Sequence, residues 1–254
     1  MIWPTWSSWS PGVDLATQGK VLGVLGSPCE TWSAARWNGG SRDPDGPRAL
    51  RSARRPWGLA DLTAPERRQL RLGSALLRAT ALLLYAAWAR GFAAVMEHPE
   101  CPCVADTPSS WRLPALRALF ALDGVVARRI DQCTCGTPWM KPTRLCAVNL
   151  PDLGAELDAL PGRGRCSPLF GNVHAVLHGR DDDGSWRTAP AKTYPPALCG
   201  ALARAFARQC RRMLRGADLQ AERPELPAWL EALCVPIDWY APVSWDARAH
   251  DCAG

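Results

Sequence analysis

The tetrapeptide Ser27-Pro28-Cys29-Glu30 closes an apolar run that begins at Lys20. If that run is a buried strand, Cys29 sits just past its carboxyl end, where open α/β sheets gather their chemistry. Pro28 fixes the backbone ahead of the thiol, and Glu30-Thr31-Trp32-Ser33 reads as a first helical turn whose N-terminus would stabilise a thiolate. Cys29 is therefore a candidate nucleophile; its plain alternative is a buried structural thiol, the common fate of a free cysteine. A second cluster, Glu97-His98, ends the apolar run from Phe92 to Met96 in the same way. The third group is sulfur and imidazole: Cys101/Cys103 and Cys133/Cys135, with Cys166, His174 and His178. Both pairs are Cys-x-Cys, without the two-residue spacing usual in structural zinc sites, so no metal is assigned from spacing.

These groups need elements to position them. Residues 20–26 read as a short buried strand, and residues 1–19 as an irregular leader with no period. From Ala34 to Pro56 the chain is rich in Gly, Pro and Arg, the composition of a long exposed basic loop, and Arg48, Arg51, Arg54 and Arg55 are its candidate contacts for a nucleic-acid backbone. A helix then starts at Thr63, with Glu66 completing a capping box and Pro65 in the first turn. Leu70, Leu76, Leu77, Leu83, Leu84 and Trp88 keep its apolar period, and Gly91 stops it. Phe92–Met96 follows as a second strand, completing a strand–helix–strand crossover.

Pro114–Leu122, closed by Gly124, reads as a shorter helix; Val125–Ile130 and Arg144–Asn149 read as third and fourth strands. Pro161–Ala191 is a loop with a turn at Asp181-Asp182-Asp183-Gly184 and room for a hairpin. A last helix from Pro195-Pro196 to about Arg215 buries Leu198, Leu202, Phe206 and Met213. It exposes Arg204, Arg208, Arg211, Arg212 and Arg215 with no acid among them, either a solvated face or a set of phosphate contacts. The organisation expected is a leader over 1–19, one α/β domain over 20–216 and an acidic, Trp-containing tail over 217–254.

Composition narrows the function classes. A chain of 254 residues, 47% hydrophobic, can bury a sizeable core and is neither disordered nor fibrous. Eleven cysteines in a chain of this size point to reduced thiols inside the cell, nuclear or cytoplasmic, and the first residues lack the pattern of a signal peptide. The longest apolar stretch, Leu72–Trp88, is interrupted by Arg78 and shorter than the ~20 residues of a membrane span, so no membrane partner is expected. Seven acids against two arginines give residues 217–254 a net charge of −5, which leaves +11 on the body out of a total of +6. A basic body with an acidic tail fits a polyanionic partner.

Three segments then stand together in order: Gly26-Ser27-Pro28-Cys29-Glu30-Thr31-Trp32-Ser33, Val95-Met96-Glu97-His98-Pro99, and Asp131-Gln132-Cys133-Thr134-Cys135-Gly136-Thr137-Pro138 running to Lys141-Pro142-Thr143-Arg144. They resemble the DNA cytosine-5 methyltransferases: the Pro-Cys loop, the Glu-Asn motif and the Gly-x-Pro-Gln segment with its following arginines. The wording is most similar to a retroelement-associated, algal-type variant. The resemblance implies an incomplete Rossmann-like α/β methyltransferase fold with a mostly parallel sheet and flanking helices. It further implies Cys29 as nucleophile, Glu97 as acid, and Pro28, Ser33, Gln132, Lys141 and Arg144 as substrate contacts. The chemistry explains the convergence: C5 of cytosine becomes nucleophilic only when a thiolate adds at C6, and the addition needs a proton donated to N3 of a base flipped from its stack.

The pattern also departs from the family. His98 replaces the Asn, Trp139 the Gln, Lys141 and Thr143 the two arginines, and Glu30 the residue after the Cys. The S-adenosylmethionine pocket that the family builds ahead of its Pro-Cys loop needs a Gly-x-Gly turn, which residues 1–19 lack, so that half is expected either to come from a second chain or to be lost from this one. The partner implied is nucleic acid, DNA ahead of RNA. Two other readings stand beside this one: a non-catalytic nucleic-acid-binding remnant, and thiol chemistry at Cys29 with His98 as its base.

Overall fold

The computed structural model describes residues 22–33, 36, 47–100, 106–167, 173–177 and 179–215. The expected leader and acidic tail lie outside the described residues. Four strands, β1 (Leu22–Gly26), β2 (Ala93–Pro99), β3 (Val126–Asp131) and β4 (Pro142–Val148), form one sheet in the order β1-β2-β4-β3. Four helices accompany them: α1 (Ala64–Ala89), α2 (Pro114–Phe120), α3 (Leu153–Asp158) and α4 (Pro196–Leu214).

Side-chain alternation on the central strands builds two cores. Ala94 and Met96 of β2, with Cys146 and Val148 of β4, pack under α1 and α2 against Leu77, Leu84, Leu116 and Leu119. Ala93, Val95, Leu145 and Ala147 point the other way, under Leu153 and Leu157 of α3 and Leu198, Ala201 and Ala205 of α4. The result is a three-layer α/β sandwich in which β2 is covered on both faces, which is why its sequence is nearly all apolar.

The sheet is mixed, which corrects the expected mostly parallel one. β1 and β2 are parallel, whereas β4 runs antiparallel to both β2 and β3. The cause is connection length: the crossover from β1 to β2 carries the whole of α1, but only residues 132–141 join β3 to β4, too few for a parallel return. β4 therefore turns straight back and inserts between β2 and β3, leaving those two pointing the same way. The carboxyl ends of β1, β2 and β3 and the start of β4 all meet at one edge.

Helix α1 forms as its caps dictate. The Glu66 carboxylate accepts from the Thr63 backbone N–H at 2.7 Å. At the other end Gly91 takes φ 70°, and the N–H groups of Gly91 and Phe92 return to Trp88 and Ala87. Leu76 and Leu83, expected in the core, are instead exposed beside Leu72, while Leu70, Leu77, Leu84 and Tyr85 face inward. By length and composition alone α1 could cross a membrane, but more than half of its most apolar window is buried inside this fold. Helix α3 has no counterpart among the expected elements: it is only six residues long and falls below the window that makes a period visible. The expected turn at Asp181–Gly184 is present, closed by a bridge between Arg180 and Trp186.

Candidate active site

Parallel pairing sets Gly26 directly opposite Glu97, so the Pro28-Cys29 turn leaves β1 at the edge where the Glu97 carboxyl stands. Glu97 lies on the α4 side of the sheet and is 5% exposed. Its Oε2 accepts from the Tyr194 hydroxyl at 2.9 Å, and its Oε1 lies 3.9 Å from Lys141 Nζ. That Oε1 accepts no hydrogen bond, although it is buried. Gly26 makes the approach of Tyr194 possible: a Cβ there would sit 3.1 Å from the tyrosine hydroxyl. Lys141 also donates to the Ala191 carbonyl at 3.0 Å, tying the start of β4 to the turn that leads into α4.

Cys29 shares this electrostatic environment. Burial pushes its thiol above the ordinary cysteine value; the Lys141 charge opposes that, and the Glu97 charge adds to it. The expected helix N-terminus is not there to help. Glu30–Trp32 forms a single turn, closed by the Trp32 N–H on the Cys29 carbonyl at 2.9 Å, and no α-helix follows within residues 30–33. Tyr194 is held neutral, its hydroxyl pushed well above the ordinary value by burial, the Glu97 charge and the hydrogen bond it donates.

The edge continues through Gln132, which is fully buried, donates to Thr143 Oγ1 at 3.2 Å and leaves its Oε1 without a partner. Pro28 is exposed and Ser33 half-buried in the same loop. Arg144, expected among the substrate contacts, faces away: it pairs with His98 in register, on the α1 side of the sheet, and its guanidinium is bound by Glu100 at 3.0 Å. His98 is buried there, bonded to Ser110 Oγ at 2.7 Å and stacked edge-on against Trp32 and Trp111. Burial and the Arg51 and Lys141 charges push its imidazole down to about 3. So weakly basic, and on the opposite face from Glu97, it is not suited as a base for Cys29.

The basic residues need more correction. Arg51 is 0% exposed and cannot meet a nucleic-acid backbone. Its guanidinium donates to Thr31 Oγ1, the Pro56 and Leu70 carbonyls and Ser74 Oγ, and lies 3.9 Å over the Trp32 ring. It thus clamps the turn after Cys29 onto α1, where Gly73 leaves room for Thr31. Leu50, Arg51 and Ser52 are buried, so the end of the expected exposed loop is packed; residues 34–35 and 37–46 lie outside the described residues. Arg48 is exposed but held by Asp61 and Glu66. On α4, Arg204 and Arg208 pair with Glu156, and Arg208 and Arg212 with Asp152, acids that α3 brings from outside the helix's own sequence. Arg54, Arg55, Arg211 and Arg215 remain exposed, with no ion pair among the described residues.

Tyr194 is the residue that sequence reasoning missed. Its signal is faint: one of three tyrosines in the chain, directly ahead of the Pro195-Pro196 helix start. The cysteines divide in an unforeseen way. Cys135 turns into the core under α4, while Cys133 meets Cys166 and His174. Cys101, Cys103 and His178 lie outside the described residues. No protein-family model matches the chain, and neither a curated protein nor a solved structure does.

Proposed function

We propose that this chain carries the base-handling edge of a cytosine-5 methyltransferase-like protein acting on nucleic acid, with Cys29 as nucleophile and Glu97 as acid. One observation carries the reading: the β1/β2 register that brings the Pro-Cys turn and a buried carboxyl to one sheet edge, with Lys141 and Tyr194 closing on it. Each residue then has a task. Lys141 is the cation that favours the Cys29 thiolate. That thiolate adds to C6 of a flipped cytosine, the ring electrons move towards N3, and Glu97, once it has taken up a proton from solvent, passes that proton to N3. Tyr194 holds Glu97 Oε2, which leaves Oε1 for the Watson–Crick edge of the base. The buried, unpartnered Gln132 Oε1 is a further acceptor at the same edge. The methyl donor does not fit the described residues: β1 is followed by Ser27-Pro28-Cys29, not by the Gly-rich turn and helix N-terminus that would cradle it. The chemistry these residues can perform therefore stops at base activation.

The test is an oligonucleotide in which a pyrimidin-2-one base replaces cytosine, since a thiolate adds at its C6 without methyl transfer. A covalent complex seen by mass spectrometry, lost in Cys29→Ser and weakened in Glu97→Gln, is the expected result. The competing reading, a nucleic-acid-binding remnant, is favoured by the upward push on the Cys29 thiol. Salt-sensitive binding without any adduct, from a chain whose Cys29 still alkylates, would decide for it.

A further inference from the structure

On the face of the loop between β3 and β4, three groups from separate stretches of chain converge. Cys133 lies just past β3, in a short 3-10 turn; Cys166 comes after α3; His174 is eight residues further on. The two Sγ atoms and one imidazole nitrogen all lie within 4.8 Å of one another. Cys166 Sγ is 3.4 Å from His174 Nε2. A tetrahedral ion with Zn–S of about 2.3 Å and Zn–N of about 2.0–2.1 Å separates a sulfur and a nitrogen ligand by about 3.5 Å, and two sulfurs by about 3.8 Å. The cluster is near the size that such an ion needs.

The surroundings hold the ligands in place. The Cys166 N–H donates to Asp131 Oδ2 at 3.0 Å, and Asp131 Oδ1 is itself bound by Arg129. The Ala175 N–H donates to the Pro138 carbonyl at 2.8 Å, which fixes the chain next to His174. Gly136, at φ 93°, turns the loop back so that its N–H meets the Cys133 carbonyl. Two thiols and an imidazole are a soft donor set, suited to zinc and poorly suited to magnesium or calcium. The two cysteines are 33 positions apart in the chain, so the pair is invisible to any short spacing rule.

We propose that Cys133, Cys166 and His174 bind one zinc-class divalent cation, which ties Cys166 and His174 to the β3–β4 loop. On binding, the two thiols lose their protons to solvent and the imidazole coordinates as the neutral ring through Nε2. The staple sits upstream of Lys141, so it stiffens the loop that delivers Gln132 and Lys141 to the sheet edge. It stands independently of the role given to Cys29 and Glu97.

The experiment uses the full chain, purified without chelator and dialysed against zinc, with bound metal counted by elemental analysis. The expected content is about one ion per chain for the parent, falling to below about a tenth in Cys133→Ser, Cys166→Ser and His174→Ala. Cys199→Ser, an exposed cysteine outside the cluster, keeps its ion. Replacement by Co(II) reads the geometry without any activity assay: thiolate-to-cobalt charge transfer with intense tetrahedral d–d bands in the parent, and their loss in the three variants. If a variant fails to fold, the cobalt spectrum of the parent still decides. Metal content unchanged by the three substitutions, or a parent spectrum of octahedral, sulfur-free cobalt, overturns the proposal.

Discussion

Lys141 is the cation that lowers the cost of ionising Cys29, and it reaches the site only because β4 begins at the edge where β1 and β2 end. Burial and the Glu97 charge both hold the thiol protonated, so Lys141 is the influence that a substitution can remove most cleanly. Lys141→Met should push the Cys29 thiol further up. The rate of iodoacetamide alkylation at pH 8, followed at Cys29 by peptide mass spectrometry, should fall severalfold, with the rate–pH profile displaced to higher pH. An unchanged profile would remove Lys141 from the site. Tyr194→Phe should shift the same profile and lower stability by about 1–3 kcal/mol, because the buried Glu97 Oε2 loses its donor.

At the scale of elements, one arginine decides how the turn after Cys29 sits on α1. Arg51 is buried with four hydrogen-bond acceptors and an aromatic face around it. Arg51→Met keeps much of the volume but strands those acceptors, and should cost about 3 kcal/mol in urea denaturation. A loss below about 0.5 kcal/mol would mean the clamp is dispensable. The arginines of α4 separate in the same way. Arg208→Glu or Arg212→Glu sets like charges against Asp152 and Glu156 and should loosen α4 from α3. Arg211→Glu and Arg215→Glu touch no acid among the described residues. If the body binds duplex DNA, each should reduce the slope of log affinity against log salt by about one, with no loss of stability. Salt slopes unchanged from the parent in Arg211→Glu and Arg215→Glu would deny these two residues any phosphate contact.

For the molecule as a whole, the buried imidazole of His98 links folding to pH. Its folded value of about 3 lies below the ~6.5 of an unfolded histidine, so below about pH 6.5 the unfolded chain takes up a proton that the fold refuses. The stability is therefore complete above about pH 6.5 and is lost as pH falls towards 3. Between about pH 7 and pH 5 the loss should be about 2 kcal/mol, read from urea midpoints, and His98→Gln should flatten that part of the curve. A parent whose stability is flat over this range contradicts a neutral, buried His98. The sheet edge also sets a limit on ligands. Calorimetric titration of the 254-residue chain with S-adenosylmethionine should give no saturable heat, because the described edge around Cys29 and Glu97 offers no Gly-rich cradle. Tight binding would show that the cofactor site is built from other parts of the chain.

The sequence alone determined what is local. The α1 caps at Thr63, Glu66 and Gly91, the strands ending at Gly26 and near Glu97, and the α4 start at Pro196 are legible because caps, breakers and apolar runs act within a few residues. Cys29 and Glu97 are legible as a pair because each ends an apolar run, and parallel strands joined by one helix bring such ends together. What the tertiary structure decided is everything that joins distant segments. Tyr194 meets Glu97 across 97 positions, Asp152 and Glu156 neutralise arginines on another helix, and Arg51 turns inward although its neighbours Arg54 and Arg55 stay outside. Cys133 finds Cys166 and His174, not its near neighbour Cys135. Composition cannot sort a basic residue into a clamp, an ion pair or a free charge, because burial and partners depend on which elements pack together. That packing is set by the sheet order, which no local pattern states.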